Sequence, residues 1–191
     1  MNAEWVLYKN HFSPEYCKTV LDIVLEQEPI DAKVGLSEEN DNNVRRSKLR
    51  FIGPDHSKLY YVFDHLWRLT NFCNDQNYGF NITRLTGLQT AEYSEKDQGE
   101  YKKHHDVFWY GNGDDKYHRK LSCIIQLTDP SEYEGGDFEF YDLFGGYPNK
   151  EDLRSQGSVL FFPSFYYHAA LPVTKGTRYS MAAWFEGPKW R

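Results

Sequence analysis

The chain has 191 residues, enough for one domain with its own core, and a net charge of −6 from 28 acidic and 22 basic side chains. That balance supplies no basic face for general nucleic-acid binding, and no stretch reaches the about 18 apolar residues that a membrane-spanning helix needs. Aromatic residues make up 17%, and with 14 Gly and 8 Pro they favour strands and turns over a helical bundle.

The first elements read as helical. Ser13 can cap a helix whose first position is Pro14, with Glu15 at its positive end. Val20, Ile23, Val24 and Gln27 follow at helical spacing, and Pro29 ends the run. Residues 31–48 are polar and acidic and read as a mobile loop. Its basic end, Arg45-Arg46-Ser47-Lys48, reads as solvated rather than as a phosphate site. A second helix is expected from near Pro54-Asp55, with Leu59, Val62, Phe63, Leu66, Trp67, Thr70 and Cys73 as its apolar stripe.

After Asn77 the period changes to that of strands. Phe80–Thr90, Arg119–Leu127, Asp137–Tyr141, Gly157–Phe162 and Arg178–Phe185 are short runs rich in β-branched and aromatic residues. Turn clusters such as Gly111-Asn112-Gly113-Asp114-Asp115, Gly135-Gly136 and Lys175-Gly176 separate them. The expectation is one domain over 1–191, with a helical support region (1–78) on one outer face of a β-sandwich or barrel (79–187). Cys17, Cys73 and Cys123 are widely spaced with no Cys-x-x-Cys pair, which argues against a disulfide framework or a cysteine zinc site and fits a reducing cytoplasm. The N-terminus, Met1-Asn2-Ala3-Glu4-Trp5, lacks a basic region followed by an apolar run, so no secretory signal is expected.

The candidate chemistry lies in the strand region. In an extended segment residues i and i+2 share a face, so His104 and Asp106 can reach one ion while His105 points away. His168 follows a buried Gly-x-x-x-Phe-Phe-Pro run and has Ala169 and Ala170 beside it, which leaves room for a ligand. Two imidazoles and a carboxylate suit Fe(II), Mn(II) or Zn(II) and leave positions open on an octahedral ion. Composition alone gives about half a His-x-Asp pair by chance, so spacing does not carry the site. Ten residues after His168 comes Arg178, which shares a strand face with Ser180, Ala182 and Trp184. Its planar guanidinium suits a ligand carboxylate, to which Ser180 could add a hydroxyl; the plainer reading is a salt bridge within the chain.

These residues resemble a family. Tyr93, then Tyr101-Lys-Lys-His104-His-Asp106, then Leu127-Thr-Asp-Pro130 through Gly135-Gly136-Asp-Phe-Glu-Phe140, then Gly157 through His168 to Arg178 and Trp184, look like the Fe(II)- and 2-oxoglutarate-dependent dioxygenases, in their prolyl 4-hydroxylase-like and PKHD-type branch. Val44-Arg45-Arg46-Ser47 resembles a segment that often precedes the barrel in this branch. The resemblance covers about half of the chain, in order.

The resemblance implies a double-stranded β-helix, or jelly roll. It implies Fe(II) on His104, Asp106 and His168, and 2-oxoglutarate on Arg178 with a hydroxyl from Tyr93. O2 is the further cosubstrate and ascorbate the reductant. The implied reaction is hydroxylation of a C–H bond of a prolyl or other amino-acid residue in a peptide or protein, releasing succinate and CO2. A free small-molecule substrate, a metal-binding module without turnover and a zinc hydrolase remain alternatives. No nucleic-acid or membrane partner is expected, and a monomer or homodimer is. Arg45, Arg46, Trp109 and Tyr110 are places to look for substrate contacts, and the aromatic, glycine-rich segment 107–119 reads equally as a lid or a surface hairpin.

Overall fold

The structure is a computed structural model that describes residues 2–32, 44–110 and 117–190, with the backbone only for Trp109 and Tyr110. Strand β1 (Val6–Tyr8) leads to helix α1 (Pro14–Leu25), where the Ser13 hydroxyl accepts the Tyr16 N–H at 3.2 Å and Pro14 takes the first helical position, as expected. Cys17, Val20 and Val24 form its buried stripe. Three short strands follow: β2 (Ile30–Asp31), β3 (Arg45–Arg46) and β4 (Lys48–Ile52). Helix α2 (Tyr60–Asn77) begins later than Pro54-Asp55 suggested. Residues 53–56 instead close a turn, with the His56 N–H on the Gly53 carbonyl at 3.2 Å. Pro54 at the second turn position imitates a helix start because both sites want its fixed φ.

The remaining elements are β5 (Arg84–Ser94), β6 (Glu100–His104), β7 (Trp109–Tyr110), β8 (Tyr117–Gln126), β9 (Tyr133–Gly135), β10 (Phe138–Phe140), helix α3 (Lys150–Arg154), β11 (Val159–Pro163), β12 (His168–Ala170) and β13 (Val173–Pro188). Among the described residues the major sheet runs β1-β11-β8-β13-β5-β4-β2, with β7 added to β8 and β9 to β13. The minor sheet runs β10-β12-β6-β3. The fold is a double-stranded β-helix with helices against the outer face of its major sheet.

The segment expected to be helical support also supplies four strands. β1, β2 and β4 extend the major sheet, and β3 pairs with β6 in the minor one, Arg45 opposite Tyr101. The supposed solvated loop around Arg45 is therefore a correction: Arg45 and Arg50 are buried in sheet strands. Both carry long stems that pack while the guanidinium finds an acceptor, and Arg50 ion-pairs with Glu92 at 2.8 Å. Residues 33–43 of the expected loop lie outside the described residues.

Alternation along β13 divides the interior. Met181, Ala183 and Phe185 join α1, α2 and Phe161 in the main core. A fully buried Phe of this kind contributes on the order of 1.5–3 kcal/mol. Arg178, Ser180, Ala182 and Trp184 face the other way, into a cavity between the two sheets.

Candidate active site

The cavity is where the two sheets exchange residues. The minor sheet supplies His104, last in β6, and His168, first in β12, which sit opposite each other in the antiparallel ladder. Strand β6 stops at His104, so Asp106 lies just beyond it. Its backbone N–H donates to the Ser164 carbonyl at 2.8 Å, which keeps the chain extended enough for the i, i+2 relation to hold. His105 is exposed, with its ring 5.2 Å from that of Tyr167.

Each imidazole has its Nδ1 on a backbone carbonyl: His104 on Lys102 at 2.7 Å and His168 on Tyr166 at 3.0 Å. A carbonyl only accepts, so Nδ1 carries the proton and Nε2 keeps its lone pair. Both Nε2 atoms turn to Asp106, at 3.7 Å from Oδ1 for His104 and 3.6 Å from Oδ2 for His168. The three ligand atoms lie within 4.8 Å of one another. Ser122, missed in the sequence, donates its hydroxyl to Asp106 Oδ2 at 2.7 Å and contacts Ser164 Oγ at 3.0 Å. The Tyr101 ring stacks on His104 at 3.4 Å, and Phe138 and Phe162 flank His168 at 5.3 and 4.8 Å.

Burial holds His104 well below the usual imidazole range, reinforced by the neighbouring His168. For Asp106 burial acts upward, but His168, His104, Arg119 and the Ser122 hydroxyl outweigh it, and the carboxyl stays below its ordinary value. The result at neutral pH is a carboxylate and a neutral imidazole, both ready to coordinate.

The major sheet supplies the second half. Arg178 is 4% exposed, and its Nε donates to Gln126 Oε1 at 3.0 Å. Gln126 is held in turn by its Nε2–H on the Tyr133 hydroxyl at 3.1 Å. Arg178 pairs with Tyr93 across β13 and β5, and its guanidinium carbon is 5.6 Å from the Tyr93 ring centroid. No carboxylate among the described residues pairs with Arg178. Tyr93 and Ser180 line the same cavity. Gly135 and Gly136 have φ of +71° and +63°, and a Cβ on Gly136 would meet Arg178 Cδ at 3.2 Å, so the turn also gives the arginine its room.

A family model described as the 2OG-Fe(II) oxygenase superfamily matches residues 88–186, about half of the chain. This chain belongs to that superfamily. A PKHD-type hydroxylase of Aliarcobacter butzleri is 33% identical over 90 residues, which cover 46% of this chain and 38% of the relative, so the chain spans less than half the length of that curated relative. A Pseudomonas putida prolyl-4-hydroxylase structure superposes with a TM-score of 0.72 at 15% identity, covering 97% of this chain and 94% of the other. A Trichoplax adhaerens prolyl hydroxylase, in complex with a hypoxia inducible factor oxygen degradation domain peptide fragment, gives 0.73 at 19% identity, covering 95% and 83%.

Membership implies Fe(II), 2-oxoglutarate and O2, and the residues fit those groups. Two imidazole nitrogens and a carboxylate converge within 4.8 Å of one another, a donor set that suits a hard-to-borderline metal. Beside it lies a buried guanidinium with no acidic partner among the described residues, which suits a dicarboxylate ligand. Of the segment 107–119, β7 pairs with the start of β8 as a hairpin, and residues 111–116 lie outside the described residues.

Proposed function

We propose that this chain is an Fe(II)- and 2-oxoglutarate-dependent hydroxylase acting on a prolyl or other amino-acid residue of a peptide or protein. The observation that carries the reading is the meeting of two complementary half-sites in one cavity: His104–Asp106–His168, and an Arg178 with no carboxylate partner among the described residues. In this reading His104, Asp106 and His168 hold Fe(II). Arg178 binds the far carboxylate of 2-oxoglutarate, with the hydroxyls of Tyr93 and Ser180 as further donors. Fe(II) with 2-oxoglutarate and O2 supplies the oxidising power that hydroxylates a C–H bond, with succinate and CO2 as by-products. Ascorbate serves as reductant.

The chain's own contribution is positioning and exclusion. The Lys102 and Tyr166 carbonyls fix both tautomers, Ser122 orients the carboxylate, and Gln126 aims the guanidinium. Phe138, Phe162 and Tyr101 wall the imidazoles off from bulk water. The peptide preference is supported by the relatives, which include prolyl hydroxylases and one peptide complex. Free, buried Cys17, Cys73 and Cys123 agree with a reducing compartment, and we place the protein in the cytoplasm. The test is succinate formation from 2-oxoglutarate with Fe(II) and ascorbate, with and without proline-containing peptides. Metal binding with neither 2-oxoglutarate binding nor succinate would instead support a metal-binding module without turnover.

A further inference from the structure

A second buried arginine borders the metal cluster, and the chemistry above gives it no task. Arg45 on β3 is 6% exposed. Its Nε donates to Ser47 Oγ at 2.8 Å, and its guanidinium carbon lies 4.4 Å from the centroid of the Tyr101 ring that stacks on His104. No carboxylate among the described residues pairs with it. Nearby cations are committed elsewhere: Arg46 to Glu100 at 2.8 Å, Arg50 to Glu92 at 2.8 Å and Lys103 to Asp142 at 3.2 Å.

Arg45 lines both the inner cavity and an outer groove of about 560 Å³ that opens from it. Gln89 on β5, 7% exposed, borders the same two spaces; its backbone lies in the sheet opposite Phe51 and Ala182, and its side-chain amide makes no hydrogen bond with the described residues. A guanidinium buried without a counter-ion costs stability, and it persists where a ligand supplies the missing charge. The far carboxylate of 2-oxoglutarate matches Arg178 and leaves Arg45 over. The fork of Arg45 suits a planar carboxylate, and the Gln89 amide can donate to the same group. The exposed rim of the groove beyond carries Ile30, Phe51 and Tyr167, 54%, 53% and 42% exposed, beside Asp31 and His105.

We propose that Arg45 and Gln89 form an anion subsite between the metal cluster and the outer groove, and that the substrate presents a carboxylate there. The inference rests on the hydroxylase reading and narrows it. The substrate is an amino-acid unit whose carboxylate is its own, that of a peptide C-terminus, or that of an adjacent acidic side chain, and whose apolar body lies along the groove.

The test is calorimetry on the full chain loaded with Mn(II). A first titration with 2-oxoglutarate checks the underlying reading, because no binding there would sink the hydroxylase assignment itself. On the doubly loaded protein, three matched pairs follow: L-proline against L-prolinamide, N-acetyl-glycyl-L-proline against its amide, and an end-blocked Ala-Pro-Glu peptide against Ala-Pro-Gln. In at least one pair the acid should bind about tenfold tighter than its neutral partner, and the pair that responds names the source of the carboxylate. Arg45→Gln should bring that ratio to about one, and Arg45→Lys should retain part of it. Gln89→Leu should lower it too, which keeps the test open if Arg45→Gln fails to fold. No acid preference in the wild type, or a preference that survives both Arg45→Gln and Gln89→Leu, would overturn the proposal.

Discussion

His104 and His168 face each other across the β6–β12 ladder with ring centroids 4.2 Å apart, and each Nδ1 bonds the carbonyl two residues before it. This repeated i−2 device makes two remote histidines equivalent. Both present Nε2 to one carboxylate, so removing either should do the same damage. His104→Ala and His168→Ala are each expected to lower Mn(II) affinity more than about a hundredfold and abolish succinate formation. His105→Ala should leave metal affinity unchanged, since His105 is exposed and outside the cluster. Calorimetry on the three variants decides this, and a loss with His105→Ala equal to the others would refute the assignment.

Ser122 touches no ligand atom except Asp106 Oδ2. Its hydroxyl fixes the rotation of the carboxylate, which offers Oδ1 to His104 and Oδ2 to His168. Ser122→Ala should therefore weaken metal binding by about 10- to 100-fold while the fold persists. Unchanged Mn(II) affinity in a well-folded Ser122→Ala protein would make the serine a packing residue only.

Arg178 stands apart from the three ligands, held by Gln126 rather than by an acid. Arg178→Ala should raise the 2-oxoglutarate Kd by about two orders of magnitude and leave Mn(II) affinity within a few-fold. Arg178→Lys should rescue only part, because an ammonium cannot reproduce the planar fork. Equal loss of metal and 2-oxoglutarate binding would mean the arginine supports the fold instead.

The pieces that could be read in the chain were those with short-range rules. Ser13-Pro14 announces a helix through local capping, and alternation alone puts Arg178, Ser180, Ala182 and Trp184 on one face. His104-x-Asp106 was legible as a pair, yet strand pairing ends at His104 and Asp106 depends on Ser164, far along the chain. Arg45 was misread because charge suggests solvent, whereas its burial comes from Tyr101, its partner across a strand pair. Gln126 and Ser122 were invisible for the same reason. A polar residue inside an apolar strand shows its purpose only when the partner, 52 or 16 positions away, is in place.

Gly136 links turn geometry to ligand binding. An added Cβ would meet Val173 Cγ2 at 2.7 Å and Arg178 Cδ at 3.2 Å, at a φ of +63°. Gly136→Ala should cost on the order of 1–3 kcal/mol in denaturant melts. It should also weaken 2-oxoglutarate binding more than metal binding, because the displaced groups, Val173 and Arg178, lie on the arginine's side of the cavity and neither is a metal ligand. A stability loss with normal 2-oxoglutarate affinity would confine the glycine to its turn.

Acid should destabilise the metal-free protein before most carboxylates titrate. Burial, then the adjacent His168, depresses His104 below its ordinary 6.5 in the folded state. As pH falls through 6.5 the unfolded chain takes up this proton and the folded one resists, so stability is complete above that value and drains below it. Asp106 is depressed too, and its share is lost only below its ordinary 3.8. By pH 5 the imidazole can account for up to about 2 kcal/mol, at about 1.4 kcal/mol per pH unit. Thermal melts of chelator-treated protein should show the Tm falling between pH 7 and pH 5, with a smaller fall in His104→Gln. Mn(II) should restore the Tm of the wild type at pH 7 because it binds only the folded cluster. Parallel losses in the wild type and His104→Gln would show that the depressed imidazole is not what acid attacks.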